Sequence, residues 1–257
     1  MFTNHKWIAF QTIVVREVRR FTRIWLQTLV PPIITIGLYF VIFGNLVGRR
    51  IGDMGGYQYM DFIVPGLIMM SVIQNSYSNV VSSFFSHKFQ RSIEELLVSP
   101  VPNYVILGGC IVGGMARGLA VGAVVTTMAM IFSDLRIEHP LITVSVILLT
   151  SIVFSMAGFI NAVFANSFDD ISIIPTFVLT PLIYLGGVFY SIQMLPPFWQ
   201  AVSGVNPIFY MVNTFRYGIL GSSDVDIYWA FLILGFFIAV LYVSCIWLLR
   251  NGTGLRS

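Results

Sequence analysis

The segment SHKFQRSIEELLVSP, Ser86–Pro100, is a polar island in an otherwise apolar chain. It carries charges of both signs and joins two long apolar runs, near Phe62–Phe84 and Val105–Phe132. It contains no set of side chains that suits nucleophilic catalysis or metal binding. A charged segment held between the ends of two membrane helices predicts a surface on which another protein acts.

The composition of the chain indicates a membrane protein. Of its 257 residues, 57% are hydrophobic and only 10% are charged, whereas soluble domains carry about 25% charged residues. The formal net charge of +3 is too small to indicate nucleic-acid binding. Cys110 and Cys245 both lie in apolar runs, which favours small buried side chains over a disulfide pair.

Six apolar runs are long enough to cross a hydrocarbon core of about 30 Å. They lie near Trp25–Val47, Phe62–Phe84, Val105–Phe132, Leu141–Phe164, Ile171–Tyr190 and Tyr228–Leu249. The runs lack the alternation of barrel strands, so their backbone groups must be satisfied within helices. We therefore predict an all-α, polytopic membrane bundle in which residues 1–257 form a single domain with six transmembrane helices.

Positive charge predicts how these helices are oriented. Residues 1–23 combine five basic side chains with apolar residues at helical spacing, which predicts an amphipathic helix on the cytoplasmic leaflet; a basic orientation signal alone is the alternative. With the N-terminus inside, the inner segments hold nine Lys and Arg residues and the outer segments hold four. Both termini and Ser86–Pro100 are then cytoplasmic, although Arg49 and Arg50 run against the rule.

Polar side chains are unusually frequent in the second run, and Gln74, Asn75 and Asn79 are the largest of them. Polar groups inside membrane helices bond to neighbouring helices or face a hydrated cavity. Both interpretations remain open here: these residues pack against other helices, or they line a substrate path.

A single charge, Arg117, lies far from either end of the third run. An arginine in the membrane is costly and is normally paired or hydrated. Asp61 and Asp169 border other runs and are the acidic candidates. A structural ion pair or a hydrated site is favoured over direct contact with substrate.

Glycines recur at four-residue spacing along the same run, in two sets. The first set is Gly109 and Gly113, and the second is Gly114, Gly118 and Gly122. Small residues at this spacing allow another helix backbone to approach closely, so the glycines predict tight helix packing.

Two connections carry further signals. Asp169 and Asp170 form an inner turn at the start of the fifth run, where carboxylates suit the positive end of a helix and can cap free amides. A proton relay is disfavoured because neither His nor Lys lies nearby in sequence. Residues 191–223 are too apolar for a loop and too interrupted for a span. They predict two short external helices that re-enter the outer leaflet, the second capped by Asn206 and ended by Gly221.

Aromatic residues gather on this outer side, among them Tyr184 and Tyr190. An interfacial aromatic belt is the favoured explanation, and stacking on a substrate is the alternative.

The chain lacks the residues of a chemical site. Neither lysine lies in a phosphate-binding glycine loop, no metal-ligand spacing occurs and no catalytic set is indicated. We therefore expect no catalytic, cofactor-binding or metal-binding residues, and we expect energy for any work to come from another protein. We find no internal repeat, which disfavours a self-contained carrier.

Three blocks resemble the membrane subunit of a type-2 ABC exporter, and in particular the inner-membrane transport permeases of bacteria. Arg91–Pro100 is similar to the coupling helix of that family, and Asp169–Tyr190 to its fifth-span motif. The external segment resembles its external helices through LPPFW at 195–199, NP at 206–207, Tyr210 and Arg216. The resemblance covers essentially the whole chain.

The resemblance implies a homodimer in the bacterial inner membrane that is driven by two copies of a separate ATPase, in which ATP and Mg²⁺ would bind. It implies an amphipathic substrate such as a lipid-linked glycan, a lipid or a hydrophobic drug. The alternatives are a non-transporting scaffold subunit and, less favoured, an ion-coupled carrier. Residues 86–100 would be the coupling helix, and its candidate docking residues are His87, Lys88, Arg91, Glu94 and Glu95.

The start of this coupling helix has two possible positions. A helix from Ser86 would place Phe85, Phe89 and Ile93 on one face. A shorter helix would begin at Ser92, with Ser92 and Glu95 as a capping box, and Pro100 would end either version.

Overall fold

The computed structural model describes residues 2–48, 52–54, 56–93, 99–133 and 135–254. Helix α1 spans Phe2–Arg23, and α2 spans Trp25–Tyr39 and continues as a π-helix over Phe40–Val47. Strands β1 (Asp53–Met54) and β2 (Tyr57–Gln58) form an antiparallel hairpin that pairs Asp53 with Gln58.

Three long helices follow: α3 spans Tyr59–Phe89, α4 spans Asn103–Phe132 and α5 spans Pro140–Phe164. Helix α6 spans Asp170–Leu185, with a π-helical stretch over Pro175–Leu179. A 3₁₀ turn over Ile192–Met194 leads to α7 (Pro197–Val205) and α8 (Pro207–Leu220), and α9 (Ile227–Asn251) ends the bundle.

Helix α3 is the centre of the bundle. It packs most extensively against α5 and α4, and most of its 31 residues are buried. Many of its hydroxyl and amide groups bond within the helix; Ser71, for example, donates to the carbonyl of Leu67 at 3.0 Å. This helps to explain how so polar a helix occupies the core, because several of its buried groups find partners within the described part of the protein, although the hydroxyls of Ser76 and Tyr77 do not.

The two glycine sets of α4 serve different neighbours. A β-carbon built on Gly109 would collide with Ile13 of α1, and one built on Gly114 would collide with Val80 and Ser155. The first set therefore allows α1 to pack closely against α4, and the second allows α3 and part of α5 to do so. The predicted packing role is confirmed, and one helix provides two close-approach surfaces on different sides.

Four helices of the described chain are long and apolar enough to cross a membrane: Trp25–Gly44, Asn103–Phe132, Pro140–Phe164 and Ile227–Asn251. Helix α3 is not among them, since its interior polar groups lower its hydropathy. The predicted fifth run is also shorter as a helix, because α6 ends at Leu185 and the chain turns at Gly187, whose φ is 75°. The helical bundle is confirmed.

The external region folds into the two short helices that the sequence predicts. The Asn206 side chain accepts a hydrogen bond from the amide of Ile208 at 3.0 Å, and α8 ends at Gly221 in the left-handed conformation with a φ of 73°. Both caps are therefore confirmed.

Candidate functional site

The polar segment after α3 begins with a break in the helix. Helix α3 ends at Phe89, and the chain turns through Gln90 and Arg91, whose φ of 58° is unusual for a residue with a side chain. Helical backbone resumes at Ser92. The break contradicts a continuous helix from Ser86. The shorter helix stays a prediction, because residues 94–98, which include Glu94 and Glu95, lie outside the described residues.

Two of the predicted docking residues bond within the chain. The Nδ1 atom of His87 lies 3.0 Å from the hydroxyl of Ser92, across the turn. The ammonium of Lys88 donates to the carbonyls of Val163 and Ala165 at 2.7 Å each. These carbonyls lie at the C-terminal end of α5, where a cation satisfies unpaired acceptors and suits the helix dipole.

Lys88 therefore fastens the start of the polar segment to a second long helix. Burial lowers the pKa of Lys88, while the nearby carboxylate of Asp170 acts in the opposite direction. Arg91, in contrast, is exposed and is the cation of this set that is available to a partner.

The inner turn after α5 is held by Asp170. Its carboxylate accepts the amides of Asn166 at 2.9 Å and Ser167 at 3.1 Å, and these bonds keep its pKa below the usual range. Asp169 precedes α6 without a side-chain capping bond. The carboxylate of Asp170 therefore binds free amides of the turn that precedes α6.

A buried ionic cluster fastens α1 to the bundle. Glu17 is 1% exposed, and its carboxylate accepts a hydrogen bond from the hydroxyl of Ser83 at 2.6 Å. The guanidinium of Arg20 lies 3.6 Å from Glu17 and donates to the side-chain oxygen of Asn79 at 2.8 Å. Asn79 therefore serves helix packing, the first of the two interpretations for this residue.

Glu17 is absent from the sequence-based set of candidates. The spacing of residues in α1 could have indicated that Glu17 is buried. Ile13, Glu17 and Phe21 follow one another at intervals of four residues, and all three are buried. An acid on the apolar stripe of a basic helix indicates a buried partner. Burial lowers the pKa of Arg20, and Glu17 opposes that shift.

A polar cleft lies deeper in the bundle, between α2, α3 and α4. Its volume is about 250 Å³. It brings together Gln74, Asn75 and Arg117 of the predicted path set, opposite residues 27–36 of α2. The structure pairs Arg117 with neither acidic candidate in the described chain, since Asp61 lines a different cavity beside residues 130–133 of α4.

Tyr184 and Tyr190 lie away from this cleft. Tyr184 is 41% exposed, and its ring packs edge-on against Phe189, with ring centroids 5.6 Å apart. Tyr39 packs against the same phenylalanine at 5.5 Å. The predicted path set is thus dispersed: Gln74, Asn75 and Arg117 line the polar cleft, Asn79 belongs to the ionic cluster, and Tyr184 packs in an aromatic cluster at the end of α6.

Arg216 on the external helix α8 is a buried structural group. It donates to the carbonyl of Gly187 at 2.7 Å, and its guanidinium lies 3.9 Å from the ring centroid of Phe62. The side chain points inward and ties α8 to α3 and to the turn after α6.

The described residues form a surface for protein contact, a linkage between long helices and a polar cleft. Among the described residues, no group of three or more His, Cys, Asp or Glu side chains is placed to hold a metal ion. These features are those of a membrane permease with a surface for an external partner.

The chain belongs to the ABC-2 type transporter family, whose pattern it matches over residues 8–220. It is 57% identical over 251 residues to the inner membrane transport permease YadH of Escherichia coli K12, with 98% of each chain covered. It is 25% identical over 199 residues to nodulation protein J of Neorhizobium galegae, covering 74% of this chain and 73% of the relative. The family resemblance is therefore confirmed, and the chain is a membrane transport permease of the ABC type.

Proposed function

We propose that this chain is the transmembrane subunit of an ATP-driven exporter for an amphipathic substrate, powered by a separate ATPase. Membership of the ABC-2 family supports the transport role and implies an ATPase partner. The further elements of the proposal are export as the direction, a lipid-like substrate, two copies of each subunit, and ATP with Mg²⁺ in the partner.

The proposed topology has six spans with both termini in the cytoplasm. Four spans are the apolar helices, and the others are α3 between Phe62 and Phe84 and α6 with the turn that follows it. A helix of 31 residues is about 46 Å long, enough to cross the membrane. The external helices α7 and α8 would re-enter the outer leaflet, while α1 would lie at the inner surface.

The proposed homodimer is supported by the exposure of α6. Its ends contact the rest of the bundle, but Ile173, Phe177 and Val178 on its middle are exposed. A second copy of the chain would cover this apolar surface and would place twelve spans around one path. Lipid is the alternative neighbour for such a surface, and cross-linking of α6 to itself distinguishes the two.

The proposed coupling segment is residues 86–100, and the observation that carries it is the bond network of Lys88. Helix α3 leads directly into this segment, and Lys88 fastens the junction to the end of α5 at 2.7 Å. A movement of this segment caused by the ATPase would therefore be transmitted to both α3 and α5. Arg91, Glu94 and Glu95 would meet the ATPase.

The test is charge reversal in the segment, with the ATPase co-expressed. We expect Glu94→Lys combined with Glu95→Lys to abolish co-purification of the ATPase or its stimulation, with the membrane subunit still folded. Glu138→Lys is the control, because Glu138 is exposed on the connection between α4 and α5 at the other end of the bundle. Equal ATPase recovery and stimulation in both variants would remove the assignment of the segment.

Failure to recover any ATPase with the wild-type chain would contradict the proposal itself. It would favour a scaffold subunit, the other function that the close glycine packing of α4 allows.

A further inference from the structure

Arg117 occupies the middle of α4, where a charge is most expensive. The helix spans Asn103–Phe132, so the arginine lies about 20 Å from either end at 1.5 Å per residue. A charge at this depth requires a partner, because the hydrocarbon core offers no water to replace hydration.

No group in the described chain serves as that partner. The Nε atom of Arg117 is buried without a hydrogen bond, and no carboxylate of the described residues lies within 4 Å of the guanidinium. The charge that acts on it most directly is another cation, Arg20. Arg20 is itself engaged by Glu17 and Asn79, so the cation that remains unneutralised at this level is Arg117.

Among the described residues that line the polar cleft, Arg117 is the only charged one. Around it stand neutral polar groups of α2 and α3, including Gln27, Gln74 and Ser78. Pro31 and Pro32 cannot donate helical hydrogen bonds, so they leave the carbonyls of Gln27 and Thr28 without their usual amide partners. The cleft thus combines one strong cationic donor with several neutral donors and acceptors.

The cleft opens along a strip of α2. Gln27, Pro31 and Thr35 line it at intervals of four residues and are exposed. A ligand can therefore reach Arg117 from the side of the bundle, along the exposed strip of α2, which is one of the apolar helices long enough to cross a membrane.

We propose that this cleft binds the phosphate headgroup of an amphiphile, with Arg117 as the group that holds the phosphate. A guanidinium binds phosphate oxygens in a bidentate manner, with bonds stronger than those between neutral groups. The volume of about 250 Å³ is below the usual 300–1,000 Å³ of a pocket for a drug-sized ligand. It therefore fits a headgroup, whose chains extend from the open strip into the lipid.

Two sources supply such a headgroup: a resident phospholipid, or the transported molecule. If the headgroup belongs to the transported molecule, the proposal rests on the proposed export function and adds detail to it. Binding of a phosphate headgroup in the cleft does not depend on that function. Two measurements distinguish these sources: ligand binding to the full chain alone, and ATP hydrolysis by the complex with the ATPase.

The binding test uses the delipidated chain in a maltoside detergent and counts bound ligands by native mass spectrometry. The probes are dioleoyl phosphatidylglycerol, dodecyl phosphate as a single-chain stand-in for a transported molecule, and neutral dioleoylglycerol. We expect both phosphate probes to bind in preference to the neutral probe, and Arg117→Gln to weaken their binding about tenfold, as expected for loss of a charge-assisted contact. Arg136→Gln, on the exposed connection after α4, should bind as wild type.

A second variant covers the case in which Arg117→Gln fails to fold. Gln74→Leu keeps the arginine but replaces a polar wall of the cleft with an apolar side chain of similar length, and we expect it to weaken probe binding severalfold. Wild-type affinity in both variants, or equal binding of the neutral probe, would overturn the proposal.

The ATPase measurement identifies the source. Stimulation of the wild-type complex by dodecyl phosphate, lost in Arg117→Gln, indicates a transported headgroup, and binding of phosphatidylglycerol without stimulation indicates a resident lipid. Because binding is measured without the ATPase, failure of the export proposal leaves the binding result intact.

Discussion

At the scale of single residues, the charges of this chain divide into buried structural groups and groups available to partners. Glu17 and Arg216 are 1% and 2% exposed and fasten α1 and α8 to the bundle. The sequence analysis did not single out Glu17 and did not reveal that Arg216 is buried. Both omissions have one cause, since the partners, Ser83 for Glu17 and the backbone of Gly187 for Arg216, lie far away in the chain.

The buried carboxylate of Glu17 should contribute substantially to stability. We expect Glu17→Gln to destabilise the protein by about 1–3 kcal/mol, because it leaves Arg20 without its counter-charge and weakens the bond to Ser83. Arg16→Gln is the control: that side chain is 42% exposed, and its contact with Glu17 is 3.7 Å long, so its loss should cost less than about 1 kcal/mol. Thermal unfolding in detergent measures both, and equal losses would contradict the assignment.

His87 makes stability depend on pH. Burial lowers its pKa below the usual value of about 6.5, and the neighbouring cations Arg16 and Arg20 add to this while Glu17 opposes it. The unfolded chain then binds more protons than the folded chain, so the contribution of His87 is complete above about pH 6.5 and is lost as the pH falls towards the lowered pKa.

We therefore expect the unfolding temperature of the wild type to fall between pH 7 and pH 5 by more than that of His87→Gln. A pH dependence that is the same in the two proteins would show that His87 is not the group responsible.

At the scale of elements, the glycines of α4 allow the neighbouring helices to pack closely against it. A β-carbon on Gly114 would collide with Val80 of α3 and Ser155 of α5, so overpacking at this point must separate the helices. The spacing of the glycines was visible in the sequence. Their assignment to α1 or to α3 was not, because periodicity identifies a close-approach surface without identifying the helix that uses it.

We expect Gly114→Ala to destabilise the bundle by about 1–3 kcal/mol. Gly235→Ala in α9 is the matched control, since nothing lies within 4 Å of a β-carbon there and alanine favours a helix by about 0.5–1 kcal/mol. The unfolding temperature should fall in the first variant and stay level or rise in the second. The opposite order would contradict the packing of α4.

The junction of α3 with α5 should matter for coupling more than for assembly. We expect Lys88→Met to retain the ATPase during purification but to lower its stimulation several-fold, because the coupling segment loses its bonds to Val163 and Ala165. Arg250→Met, on an exposed position at the end of α9, should behave as wild type. Normal stimulation in Lys88→Met would show that α5 takes no part in coupling.

At the scale of the whole molecule, composition and apolar runs predicted the helical bundle, and local motifs predicted the caps of α8. The sequence was less informative on where α3 and α6 end, because hydropathy shows neither that α3 continues into polar residues as far as Phe89 nor that a glycine turn shortens α6. The polar cleft was also beyond prediction as a unit. Gln74 and Arg117 were each recognised, but only the packing of α3 against α4, with α2 beside them, brings them to one cleft.

The proposed coupling segment can be tested directly by site-specific cross-linking in the membrane. Cys110 and Cys245 are both buried, so a cysteine introduced at the exposed Arg91 would be the main reactive thiol of the described chain. With the ATPase co-expressed, we predict that Arg91→Cys cross-links to that ATPase through a short thiol-reactive linker, and that Glu138→Cys at the other end of the bundle does not. Cross-linking from Glu138→Cys but not from Arg91→Cys would contradict the assignment of residues 86–100 as the surface that receives the motion of the ATPase.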